Sequence, residues 1–261
     1  GRMDVTEDAT GFCFVDFEGV RFIDDHRCNN IGLNSAKGTG FYTPYWPQQS
    51  DAANEKYVSV FRLEDAISTE MNTDIGGIKS KLLARGDRYG VASDLTTNEA
   101  YDKVSRSTVM EVEAQIDTLF SRIVKAMNDV YCPNVESKDA ITSVDGTVYP
   151  AGTKILDADN CARGVDGKLP PRELFTRVGV DRYTEVTGTD GKTYYIYNEE
   201  DPNNTSTMYS IGSVSINSDL KRQITLMPAY TANGAVDYDF GHRLANAWNV
   251  KDMVLSPDDQ K

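Results

Sequence analysis

From Ser107 to Tyr131 the chain reads STVMEVEAQIDTLFSRIVKAMNDVY, and Val109, Val112, Ile116, Leu119, Ile123, Ala126 and Val130 follow one another at alternating steps of three and four. On a helix that spacing lines a single narrow stripe, the geometry of a coiled-coil seam. Thr108 and Glu111 fit a capping box for its first turn. Glu111 and Glu113 lie at the positive end of the helix dipole, and Arg122 and Lys125 lie nearer the negative end. Pro133 disfavours helical geometry at Cys132, so the helix is expected to stop there. Seven stripe positions over 22 residues require one or more helices laid alongside. The predicted seam-packing set is Val109, Val112, Ile116, Leu119, Ile123 and Met127, with Val112, Ile116, Leu119, Ile123 and Met127 as core.

The remaining elements can be placed around that helix. GFCFVDFEGVRFID predicts a hairpin turning at Glu18-Gly19, with Phe12 and Phe14 sharing a face with Val20 and Phe22. FYTPYWP, from Phe41 to Pro47, predicts a loop carrying an aromatic cluster, and YVSVFRL (57–63) a further strand. Asn72 or Thr73 is a candidate cap for a helix with an apolar face of Ile75, Ile78, Leu82 and Leu83, stopped by Gly86. Beyond Pro133 the composition turns to Asp-Gly pairs at Asp145-Gly146, Asp166-Gly167 and Asp190-Gly191, which punctuate short β-prone runs and predict small hairpins. SIGSVSIN predicts a return strand, and Ser218 is the expected cap of a short helical turn. Residues 237–249 predict a last helix with Phe240, Leu244 and Trp248 on one face, returning to the seam.

The expected fold is therefore α+β, a helical bundle layer with one long seam helix plus β-rich outer regions. It divides into a β-rich segment (1–62), a helical core segment (63–133), a turn-rich β insertion (134–209), and a return strand with a C-terminal helix (210–261). Charge narrows the function. With 27 Lys and Arg against 40 Asp and Glu, the net charge is −13, and no basic patch suited to nucleic acid occurs. No window approaches 18 uncharged apolar residues, so no membrane span is expected. Cys13, Cys28, Cys132 and Cys161 stand too far apart for a CxxC site and read as free, buried thiols.

Chemistry is sparse. His26 and His242 have no triad or zinc spacing around them, and no phosphate loop, GxSxG or HExxH occurs. Asp157 and Asp159 begin a calcium-loop pattern that fails at Cys161 and Ala162, where oxygen and glycine are required. Arg85-Gly86-Asp87 is explained by the helix stop. Neither enzyme nor cofactor is expected.

Taken together, GFCFVDFEGVRFID, the stretch NTDIGGIKSKLLARGDRYG, the seam helix ending FSRIVKAMNDVY, DADNCARGVDGKLPPRELF and SIGSVSINSDLKRQITLMPA resemble, in order, the flagellar hook-associated protein 1 family. The resemblance runs from about Thr6 to Trp248. It implies a structural subunit of the hook–filament junction, exported outside the cell without a cleaved signal peptide. Its partners would be like subunits in a ring, the hook protein below and the next hook-associated protein above. The family's terminal polymerisation segments, including an asparagine-rich NIANxxTxGY-like stretch, have no counterpart here, so the resemblance implies the middle portion of such a protein, monomeric by itself. Two other readings stand beside it: another axial component, such as a hook protein or hook-associated protein 3, and a secreted carbohydrate-binding protein stacking sugars on Tyr42, Tyr45 and Trp46.

Overall fold

A computed structural model describes residues 2–24, 26–35, 40–63 and 76–249. The fold is α+β, built from several small antiparallel sheets and five helices among the described residues. It falls into two compact units, Gly1–Gly90 with Glu99–Ala114, and Val91–Asn98 with Gln115–Lys261.

The first unit opens with a four-stranded sheet of β1 (Met3–Glu7), β2 (Cys13–Phe17), β3 (Val20–Asp24) and β4 (Arg27–Cys28), paired in that order. β2 and β3 form the expected hairpin, and Glu18 and Gly19 both take positive φ, 52° and 77°. That turn matches the strand twist. The face prediction needs correcting. The tight turn sets Phe17 opposite Val20, a bulge follows at Val15/Asp16, and it is Phe17 that joins Val20 and Phe22 in the core. Phe12 is exposed, and Phe14 lies under Arg21, 4.6 Å from the ring centroid.

β5 (Gly32–Ser35) pairs with β6 (Tyr42–Tyr45). The predicted strand over 57–63 is instead a segment joined to β6 by one bridge, Tyr45 to Ser59, with Trp46 N bonded to Val58 O and Val60 N to Pro44 O. Pro44 has no N–H to extend that ladder. Val60 and Phe61 nevertheless turn inward and bury with Trp46 and Leu82.

α1 (Gly77–Arg85) stops at Gly86, φ +82°, whose N–H caps Leu82 O. Ile78 is exposed, Leu82 is buried and Leu83 half-buried. Ile75 and the caps proposed at Asn72 and Thr73 lie outside the described residues. α2 (Asn98–Val104) leads to α3, Thr108–Tyr131. Thr108 is the first helical residue rather than the cap, and Glu111 accepts the Tyr101 hydroxyl at 3.2 Å. Within this unit α3 is packed closely: a Cβ added at Gly90 would stand 1.9 Å from Met110 O, so only glycine lets the two backbones meet there.

In the second unit α3 ends at Tyr131, two residues before Pro133, as expected. The strands β7 (Asn134–Glu136), β10 (Lys154–Leu156), β12 (Tyr183–Thr187) and β13 (Thr193–Tyr197) form one sheet in the order β12-β13-β10-β7. β8 (Ile141–Thr142) and β9 (Val148–Tyr149) make a hairpin over Asp145-Gly146, while Asp190-Gly191 turns β12 into β13. Asp166-Gly167 makes a turn without a hairpin. The return strand β14 (Val214–Ile216) pairs with β11, Phe175–Arg177. α4 (Ser218–Arg222) is capped by Asn217, which accepts from Asp219 N, one residue before the predicted cap. α5 (Phe240–Ala247) closes the unit: Phe240 stacks edge-on against Tyr131 at 5.2 Å, within a core that holds Leu156, Cys161, Leu220 and Leu226.

Candidate assembly surface

α3 carries two faces of opposite character. The inward one is Met110, Ala114, Asp117, Thr118, Ser121, Val124, Asn128 and Tyr131, all buried. The outward one is the sequence stripe: Val109 is 45%, Val112 47%, Ile116 53% and Leu119 40% exposed, while Ile123 is half-buried. At 3.6 residues per turn, the centres of these faces lie roughly 140° apart. The expectation that Val112, Ile116 and Leu119 form the chain's own core is thus corrected. Met127, about three turns after Ile116 on the same stripe, is buried, as expected, so the stripe is exposed toward the start of α3 and covered toward its end.

The physical reason is that the inward face is held by polar groups with specific partners, and these outweigh bulk apolarity in setting the helix rotation. Asp117 accepts from Ala92 N at 2.8 Å, Ser210 Oγ at 2.9 Å and Ile211 N at 2.7 Å. Three turns on, Asn128 donates to Glu173 Oε2 at 3.0 Å and to Phe175 O at 2.8 Å, and accepts from Phe175 N at 3.0 Å. Glu173 also accepts the Tyr209 hydroxyl at 2.7 Å. Arg182, buried beside it, donates to Tyr209 at 3.1 Å and to Asp129 at 2.5 Å. Burial raises the Glu173 carboxyl above its ordinary range, opposed by the Tyr209 hydrogen bond and the Arg182 charge. The chain order of these residues, 117, 128, 173, 182 and 209, gives no local motif, and sequence reasoning did not single them out as a set. The available signal was polar Asp117, Ser121 and Asn128 recurring on one helical face, a pattern that normally reads as solvated.

The other predicted packing residues divide. Phe240 is buried and Leu244 packs against the same cluster, but Trp248, just past α5, is 59% exposed. Trp46, considered as a sugar-stacking platform, is fully buried among Phe17, Phe22 and Phe61 and presents no face to solvent. Tyr42 is exposed, and Tyr45 meets Tyr57 edge-on at 4.9 Å.

No protein-family model matches this chain, and comparison with curated proteins and with solved structures finds none similar to it. The geometry must therefore speak for itself. Among the described residues no group of His, Cys, Asp and Glu is placed to hold a metal ion, and no helix is long and apolar enough to cross a membrane. Cys13, at the start of β2, and Cys28, on the edge strand β4, are exposed rather than buried as expected. Cys132 and Cys161 are buried and their thiols are pushed up by desolvation, so neither of these two is a thiolate nucleophile at neutral pH. What the outward face of α3 can do is pack: it offers aliphatic side chains at coiled-coil spacing.

Proposed function

We propose that this chain belongs to a structural subunit of the bacterial flagellum, of the hook-associated protein 1 kind at the hook–filament junction, and that it acts by packing rather than catalysis. The observation that carries this reading is the exposed stripe from Val109 to Leu119. An aliphatic row at steps of three and four, left in solvent while the opposite face is locked by hydrogen bonds, is arranged for a second helix. Each half-exposed Val, Ile or Leu buried there contributes roughly 1 kcal/mol before the cost of association. In this reading α3 belongs to a helical bundle layer in the assembly, and the β-rich regions lie outward. The ordered resemblance of five segments to that family supports the same role, as does an acidic surface without a nucleic-acid footprint.

The partners are then like subunits in the junction ring, the hook protein and the next hook-associated protein, outside the cell. Antibodies against this chain, used for immunogold microscopy on flagellated cells that make it, are expected to label one point per flagellum between hook and filament. Labelling of the cell wall, or along the whole filament, would overturn the reading.

A further inference from the structure

One cleft of the second unit is unused by the packing role. It measures about 620 Å³ and opens between the 92–96 segment, the polar flank of α3 and the loop before Met208. That volume suits a small organic ligand. Its floor is apolar, from Leu95 and Met208, both buried. Its walls carry the hydroxyls of Ser93 and Ser121 and the half-buried guanidinium of Arg122, which has no partner among the described residues. Lys125 forms an ion pair with Glu200 at the rim. Two cations against one carboxylate leave one positive charge, in a chain whose net charge is −13.

We propose that this cleft binds a sugar acid, a ligand with one carboxylate and several hydroxyls. The fork of Arg122 matches a carboxylate bidentately. Serine hydroxyls both donate and accept, as a polyol requires. The apolar floor receives the C–H face of the ring. A phosphate dianion would leave excess negative charge in a cleft with a single uncompensated cation, and a purely apolar ligand would strip water from Arg122 without replacing it. The site is independent of the outward α3 face, because Ser121, Arg122 and Lys125 lie on a different flank of the helix.

The test is calorimetric titration of the whole chain with sodium glucuronate, with glucose and sodium acetate as controls. Saturable binding of glucuronate, weakened about tenfold by Arg122→Gln and severalfold by Ser121→Ala, is expected. Glucose and acetate should each bind at least about tenfold more weakly, because each lacks half of the recognised chemistry. Circular dichroism of both variants establishes that they are folded. No saturable binding of glucuronate, equal binding of acetate, or binding indifferent to both folded variants would each overturn the proposal.

Discussion

The Ser210 hydroxyl donates to Asp117 Oδ2 at 2.9 Å, a contact across 93 residues of sequence, and both residues are buried. The neighbouring amide of Ile211 donates to the other carboxylate oxygen at 2.7 Å. This carboxylate therefore ties the return segment before β14 to the middle of α3, and it also takes the Ala92 amide. Asp117→Ala would leave the half-buried Ala92 amide, the Ile211 amide and the buried Ser210 hydroxyl without their acceptor. The expected cost is about 1–3 kcal/mol, read as a loss of unfolding free energy in urea, with hydrogen exchange accelerated at Ala92 and Ile211.

Glu173 predicts a pH dependence of definite sign. Its folded-state carboxyl titrates above the ordinary 4.5 because it is buried. The folded state therefore holds this proton more tightly than the unfolded chain does. Its contribution to stability is complete below the unfolded value and is lost as pH rises through the raised folded one. Asp237, lowered by Arg243, acts in the opposite sense and contributes stability that is lost on acidification below its ordinary 3.8. Glu173→Gln should flatten the first limb and leave the second, measured as melting temperature from pH 3 to pH 8.

Removing the Glu173 carboxyl altogether should be harsher. Glu173→Ala strands the Tyr209 hydroxyl and leaves Arg182 to Asp129, whose side chain is itself 58% exposed. Breaking a buried charge network by deleting one member costs about 3–5 kcal/mol, and the melt of Glu173→Ala should fall well below that of Glu173→Gln.

Gly90→Ala tests the close approach in the first unit. The new methyl would stand 1.9 Å from Met110 O and 2.9 Å from Ala114 N, both backbone atoms of α3 that cannot swing away as a side chain tip would. A destabilisation of about 1–3 kcal/mol is expected, whereas Gly146→Ala, with nothing within 4 Å, suffers only from its positive φ of 89°.

Local chemistry made much of this fold legible. Glu18-Gly19, Asp145-Gly146 and Asp190-Gly191 marked turns because positive φ is a local requirement, and Gly86 and Pro133 marked helix ends for the same kind of reason. Phe240 does return to Tyr131 of α3, but other features set by distant partners were not legible. The spacing of Val112, Ile116 and Leu119 identified an apolar face correctly, but the helix is rotated by Asp117 and Asn128 toward Ser210, Ile211, Glu173 and Phe175, contacts that no window of sequence displays. The 57–63 segment has strand composition, yet its neighbour offers Pro44 where a ladder needs a donor. Trp46 lay in a stretch read as loop, and its burial follows from Phe17, Phe22 and Phe61 converging on it from three other segments.

The central claim is that the outward face of α3 is an assembly surface and not the chain's own core. The most direct measurement is the double substitution Ile116→Asp with Leu119→Asp, assayed twice. Unfolding of the substituted chain is predicted to stay within about 0.5 kcal/mol per site of the original, as for exposed positions. Incorporation of the tagged protein at the hook–filament junction of flagellated cells is predicted to be lost. A fall in stability of several kcal/mol would mean the stripe is internal core, and normal incorporation with normal stability would mean that nothing packs on it.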